Sequence, residues 1–418
     1  MNKVAEQTKK KVPEIRFKGF SEEWEEMTFR ENITSIQTGT NLLGSTANKG
    51  IPLLKMGNIQ RGYFSFDRLE YLAENVDIEP ENVAYYGDFL FNTRNTLELV
   101  GKGATWIGDS GKFAFNSNLA RFKFRGIDTI FFNYLYNTQR LIKQVQARAM
   151  GTTSVAAIYP KNLDSLEYNL PNTDEQSLIA TYFQQLDRMI GLQQRKHEKL
   201  VTLKKAMLKK MFPQNGATTP EIRFKDFFEP WEEKKLSDIS IKVTEKNAAK
   251  NCHETFTNSA EYGIVSQRDY FDKDISNSEN IGGYYVVKND NFIYNPRISS
   301  FAPVGPVSRN RLGRTGVMSP LYTVFRTHGV DNTYLEYFFK TDCWHPFMFL
   351  NGDTGARSDR FSIKNSVFID LPIPYPLINE QQKIGTYFRQ LDELIAQHGT
   401  QVEKLKQIKT ACLEKMFA

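Results

Sequence analysis

Apolar residues recur at three- and four-residue intervals along two long stretches of the chain. In the first they are Ile179, Phe183, Leu186, Ile190, Leu200, Leu203 and Met207; in the second, Ile384, Phe388, Leu391, Ile395, Val402, Leu405, Ile408 and Cys412. That spacing puts them on one face of an α-helix and, sustained for about five heptads, makes the seam of a coiled coil. The predicted helices, Glu175 to Phe212 and Glu380 to Phe417, would each be about 57 Å long at 1.5 Å per residue. A helix of that length outruns the domain it leaves, so its stripe needs a partner, and each stretch offers the other one. Related by a pseudo-two-fold axis, the two would pair antiparallel and hold globular domains at opposite ends. Gln193, His197 and His398 interrupt the seam as polar positions, read as register-setting or solvent-tolerant contacts and not as ligands.

Elsewhere the apolar runs are short. Ile51 to Met56, Asp88 to Phe91, Ala120 to Phe124, Asn291 to Tyr294 and Leu321 to Phe325 are separated by Gly, Asn and Pro, which reads as strands and turns. Helices fit Ile130 to Val145 and Thr333 to Phe339. Before each long helix the pattern therefore predicts a globular α/β (α+β) domain of roughly 150 residues.

The pattern is written twice. PEIRFKGFSEEWEE from Pro13 matches PEIRFKDFFEPWEE from Pro220 at eleven of fourteen positions, with an offset of 207. EQSLIATYFQQLDRMI from Glu175 matches EQQKIGTYFRQLDELI from Glu380, and the match continues through EKL to a KMF ending at Lys210 and Lys415. Between these anchors the copies share little, though Asp88-Phe89-Leu90-Phe91-Asn92-Thr93-Arg94 echoes Asn291-Phe292-Ile293-Tyr294-Asn295-Pro296-Arg297. Similar frames hold dissimilar inserts. The expected division is an arm at 1–20, a domain at 21–170, a helix and linker at 171–219, a second domain at 220–370 and a last helix at 371–418.

The 418 residues are enough for such an arrangement, and 40% apolar with 24% charged residues argues against disorder. No apolar run approaches the ~20 residues that cross a bilayer, and the amino-terminal stretch has no apolar signal core, so a cytoplasmic protein without membrane contact is expected. Cys252, Cys343 and Cys412 are far apart and form no CxxC pair, which predicts reduced, incidental thiols.

A net charge of +6 is mild, and its distribution says more. Residues 1–20 and 171–219 carry +4 each, while 21–160 and 226–370 sum to −1 and −2. Within each domain, however, an acidic stretch precedes a basic one. Residues 110–163 hold eight cations against Asp128 alone, and 291–330 hold no acid. These basic stretches also contain Asn, Ser, Thr and Gly, the types that bond base edges and phosphates. The candidate nucleic-acid face is Arg94, Asn118, Arg121, Arg148, Thr152, Thr153 and Lys161 in the first domain. In the second it is Arg297, Ser299, Arg309, Arg311, Arg314, Arg357 and Arg360.

No catalytic constellation emerges. Leu99-Val100-Gly101-Lys102-Gly103 and Asn295-Pro296-Arg297-Ile298 only loosely suggest methyltransferase loops, and they lie in different copies. Gly111-Lys112 lacks the glycine and hydroxyl of a phosphate-binding loop. The five histidines include no pair at metal-ligand spacing.

The doubled arrangement of PEIRFKGF with Trp24, a variable domain, a Pro-rich exit at Leu371 to Pro376, then EQ, a long helix and KMF resembles the specificity subunit of bacterial type I restriction-modification enzymes. The first copy departs at the exit, where Leu170-Pro171-Asn172-Thr173-Asp174 stands instead. The resemblance implies that each domain is a target recognition domain reading one half of a bipartite double-stranded DNA sequence, with the helices as a spacer. It implies a non-catalytic chain that binds no cofactor itself. Two methyltransferase subunits would dock on the helices and methylate adenine with S-adenosylmethionine, and restriction/translocase subunits would use ATP and Mg. A protein–protein adaptor with a coiled-coil spacer is the alternative.

Overall fold

The computed structural model describes residues 12–214, 216–271, 281–354 and 359–417. The chain divides into two compact units, one comprising the residues up to Gln193 together with Thr400 onward, the other running from Gln194 to Gly399. Each long helix contributes one half to each unit.

In the first unit four antiparallel strands form the main sheet. They are β1 (Ile33–Thr38), β2 (Phe89–Asn92), β3 (Gly103–Thr105) and β4 (Leu119–Phe124), in spatial order β1-β4-β2-β3. Every residue of β2 is buried, which is why Phe89 to Phe91 read as an unbroken apolar run before the polar Asn92. Phe89 and Phe91 belong to the main core, whereas Leu90 faces a smaller cluster with Trp106 and Phe115. Helix α1 (Thr129–Tyr136) covers the first face, and its Phe132 and Tyr136 rings each lie 5.0 Å from Phe89. Asp128 caps this helix by accepting from the amides of Ile130 and Phe131.

The long helix α2 (Thr173–Lys210) is docked at its start by residues repeated in the sequence. Arg16 grips the fully buried Glu175 through two bonds of 2.7 and 2.8 Å. Gln176 accepts from the Asp128 amide at 2.9 Å and donates to the Pro171 carbonyl at 2.9 Å. Strand pairing of Glu25–Thr28 with Glu167–Leu170 closes the same end.

The second unit repeats each of these devices. Strands β5 (Ser240–Lys242), β6 (Phe292–Tyr294), β7 (Val307–Arg309) and β8 (Thr323–Thr327) take the order β5-β8-β6-β7. Helix α3 (Asn332–Phe338) is capped by Asp331, whose amide donates to Gln381 at the start of α4 (Ile378–Lys415). Arg223 grips the buried Glu380 as Arg16 grips Glu175. The internal repeat is therefore structural, and its anchor motifs are where the long helices meet their domains.

Both helices span 38 residues and begin and end two positions earlier than the sequence pattern predicts. The difference at the carboxyl ends has a packing cause, since Met211-Phe212 and Met416-Phe417 leave the helices to enter aromatic cores. In the first unit, the start of α2 runs antiparallel to the end of α4. Lys409 bonds Asp187 at 2.5 Å, Tyr182 meets Cys412, and Phe417 stacks on Phe183 at 5.8 Å. In the second unit the roles exchange: Lys204 pairs with Asp392, and Phe212 stacks on Phe388 at 6.2 Å. Tyr134 donates to Asp187 and Tyr337 to Asp392. Burial, reinforced by those carboxylates, pushes both phenols upward.

Of the predicted seam, Ile179, Phe183 and Leu186 lie in the first core and Ile384, Phe388 and Leu391 in the second, while Val402 is buried. Ile190, Leu200, Ile395 and Leu405 are half-buried. Leu203 and Ile408 are each 38% exposed, so the stripe does not continue through them. Much of the stripe is also domain contact, as Phe183 stacks on Tyr134 at 4.8 Å.

Candidate nucleic-acid interface

After β2 the buried Asn92 turns its Oδ1 back to accept from the Arg94 amide at 3.2 Å. This starts the short strand Arg94–Asn95, which pairs with Ala156–Ala157, itself paired with Met150–Gly151. The hairpin between the last two turns through Thr152 to Val155, and the Leu97 amide donates to the Thr153 carbonyl at 3.1 Å. Gly151 sits at φ +128°, where a Cβ would lie 2.3 Å from the Val155 carbonyl oxygen. Thr93 bonds the Asn118 carbonyl through both its amide and its hydroxyl. Arg94, Asn118, Thr152 and Thr153 are thus gathered at one strand edge, with Lys161 on the turn that follows. Arg94, Thr152, Thr153 and Lys161 are exposed.

The second unit builds the same edge. Asn295 Oδ1 accepts from the Arg297 amide at 3.0 Å, and Arg297 stands opposite Arg360 in an antiparallel bridge. Ser299 turns back to Ala302, and the Ile298 amide donates to Asp359. Arg297, Ser299 and Arg360 are exposed together; Arg357 lies outside the described residues. Like charges directly opposite each other are unfavourable for a sheet, so Arg297 facing Arg360 suits an anion better than it suits the fold. Asn295 also donates to the Asn258 carbonyl at 2.8 Å, which makes the Asn-Pro-Arg sequence a turn anchor.

Other predicted residues stand elsewhere. Arg121 is 6% exposed and bonds Val83, Asp88 and Gln37, so it is a core ion-pair residue and not part of an open basic face. Arg309 is half-buried and already committed, with Glu336 at 3.1 Å and Asp290 at 3.7 Å. Arg148 donates to the carbonyls of Gln144 and Ser165 at 2.7 Å each and ties a helix end to the next turn. Arg314 is exposed but forks onto Glu254 with two 2.8 Å bonds, and Glu254 is held below the usual carboxylate range by that contact. Arg311 is half exposed and 3.6 Å from Glu336.

The sequence reading also missed neighbours of these residues. Met150, Val155 and Tyr159 are 58%, 70% and 54% exposed at the first edge, and Phe301 is 79% exposed on the loop after Arg297. Apolar residues among loop positions carry no signal of their own in sequence. Among the described residues no His, Cys, Asp and Glu group is placed to hold a metal ion, and no helix is long and apolar enough to cross a membrane.

Two copies of one α/β unit, each with an exposed strand edge and docked on a long helix, define a modular, duplicated recognition scaffold. The type I restriction modification DNA specificity domain matches the chain twice, at residues 21–202 and 228–407. The chain belongs to this family, whose specificity subunits are generally non-catalytic. A Methanocaldococcus jannaschii protein named as the MjaX specificity subunit of a type I restriction enzyme is 28% identical over 200 residues. That alignment covers 46% of each chain, so this chain spans about half the length of the curated relative it matches. The crystal structure of a type I restriction-modification S subunit from M. genitalium superposes with a TM-score of 0.58 at 13% identity. The superposition covers 97% of this chain and 99% of the other, and the likeness is one of fold.

Proposed function

We propose that this chain is the DNA-reading subunit of a type I restriction-modification complex, working in the cytoplasm and performing no chemistry itself. Each unit reads one half of an asymmetric bipartite target in double-stranded DNA. The observation that carries this reading is the strand edge built twice by the same device, Asn92 placing Arg94 and Asn295 placing Arg297, within otherwise dissimilar inserts. The same frame presenting different side chains is what two readers of different sequence require. Arg94, Asn118, Thr152, Thr153 and Lys161 form the first reading edge, and Arg297, Ser299 and Arg360 the second.

Linking two weak readers makes the second contact nearly intramolecular, so affinity rises without a large single interface. At about 1–3 kcal/mol per correct base pair, two short half-sites supply useful discrimination. The long helices set the spacing between half-sites. Exposed Met189 and Leu192 on α2 and Leu394 on α4 offer apolar surface on which two methyltransferase subunits dock. S-adenosylmethionine, ATP and Mg belong to those and to the restriction/translocase subunits.

Co-expression with the adjacent methyltransferase subunit, followed by mapping of methylated bases by single-molecule sequencing, is expected to give a bipartite adenine motif. Absence of sequence-specific methylation together with no binding to that subunit would instead support a protein adaptor. A second prediction concerns the edges. Arg94→Ala with Arg297→Ala should weaken duplex binding and flatten the log–log salt dependence by about 0.9 per lost phosphate contact. Titrations at several salt concentrations check this, and an unchanged slope and affinity would remove both arginines from the interface.

A further inference from the structure

The second unit holds a cleft of about 650 Å³ between the end of α2, the turn at Ala260 to Gly263, the loop after Phe301 and the end of α3. Three cations approach one carboxylate there: Arg309, Lys340 and Arg311 lie 3.1, 3.2 and 3.6 Å from Glu336. Asp290 also lies 3.7 Å from Arg309, so two carboxylates face three cations. Lys205 and Lys209 on α2 line the same cleft and add to the surplus. Counting Glu261 and Asp342 in the lining with Glu336 and Asp290, four carboxylates face the five cations Arg309, Arg311, Lys340, Lys205 and Lys209. Arg309 and Glu336 are each 9% exposed, and Arg309 Nε and Glu336 Oε2 meet without the alignment of a hydrogen bond. Tyr262 and Phe301, 63% and 79% exposed, flank the opening.

The first unit shows the same place in neutral form. Thr105 faces Phe89 in the sheet as Arg309 faces Phe292, so Thr105 and Arg309 are equivalent positions. Counting from the capping Asp128 and Asp331, Asn133 stands for Glu336 and Asn137 for Lys340. There the Thr105 amide donates to Asn133 at 3.0 Å, Asn133 donates to the Gly62 carbonyl at 3.0 Å, and Asn137 donates to Gly103 at 3.1 Å. In the first unit these three side chains are uncharged, and the amide groups of Asn133 and Asn137 donate to the chain's own backbone. The second has charged side chains at all three positions and an open cleft.

We infer that this cleft takes a backbone phosphate of the DNA beside the second half-site, with Arg311 and Lys340 turning from Glu336 to meet it. Tyr262 and Phe301 bracket the adjoining sugar or base. The inference rests on the DNA-reading proposal, and gives the cleft a different task from the edge at Arg297. A phosphate contact fixes position and carries no sequence information. Phe301 lines the cleft and stands four residues after Arg297, so the loop that leaves the edge reaches the cleft.

The test uses the full chain assembled with its methyltransferase subunits and a duplex carrying the mapped target. Arg311→Ala with Lys340→Ala should weaken binding about tenfold at moderate salt and reduce the salt slope by about 0.9, the loss of one phosphate contact, with the methylated motif unchanged. Because Lys340 also donates to the buried Glu336 at 3.2 Å, the melting temperature of the double variant is measured alongside binding, and slope and affinity are read below its transition, with Arg309 still 3.1 Å from Glu336. Unchanged affinity and slope would overturn the inference. So would stabilisation of the chain by inorganic phosphate that needs Arg311 and Lys340 while duplex affinity stays constant, since the site would then serve a small anion. If the Arg94 and Arg297 variants weaken binding and the cleft variants do not, the cleft inference fails alone. If neither set matters and no motif appears, the DNA-reading proposal fails with it.

Discussion

Replacing Phe212 by alanine is expected to destabilise the second unit by about 3–5 kcal/mol, the range for a large buried aromatic. At that cost its melting transition falls by on the order of 10 °C. Phe212 is fully buried and stacks on Tyr334 at 5.4 Å, with the Phe338 and Phe388 rings at 6.2 Å each. Its position in sequence gives no hint of this, because it follows a helix that starts on the first unit. The Lys210 carbonyl just before it accepts from the Ile222 amide at 2.9 Å, which fixes the point where the chain turns into the second core. Calorimetry of the full chain checks the prediction, with Leu203→Ala as a control. That side chain is 38% exposed and its loss should change stability by no more than about 0.5 kcal/mol. Equal effects of the two variants would show that Phe212 is not the keystone of that core.

The KMF ending illustrates what the amino-acid sequence discloses and what it withholds. Its repetition is plain, and so is the repetition of Arg16 with Glu175 as Arg223 with Glu380, because a buried bidentate ion pair admits few substitutes. The helical period of α2 and α4 is equally legible. What the period cannot say is which surface covers each apolar position. Phe183 has the same spacing whether it meets another helix or, as here, also stacks on Tyr134 of its own domain. Charge is harder still. Arg314 and Glu254 are sixty positions apart and meet through strand pairing, and Arg309 finds Glu336 through the packing of α3 on β7. A basic stretch in sequence therefore mixes exposed cations such as Arg94 with cations already committed to a carboxylate.

Arg121 makes that distinction measurable. Arg121→Ala is expected to cost about 3–5 kcal/mol of stability, as removal of one partner from a buried ion pair does. The Arg121 guanidinium donates to Asp88 at 3.1 Å, to the Val83 carbonyl at 3.0 Å and to Gln37 at 2.6 Å. Asp88 has no exposed side-chain surface, and its other partners are the Tyr85 amide and Lys123. Lys123 sits half in solvent, so its attraction is weakened by screening and compensates poorly for the lost guanidinium. A DNA-contact role predicts the opposite pattern, with stability preserved and the salt slope of binding reduced by about 0.9. Comparing Arg121→Ala with Arg94→Ala by melting and by salt titration separates the two roles. Arg121→Ala should melt lower and, below its transition, bind with an unchanged slope, while Arg94→Ala should do the reverse. Pairing Arg121→Met with Asp88→Asn supplies the remaining check. Removing both charges should recover part of the loss, because the single variant is penalised mainly for the carboxylate it leaves buried.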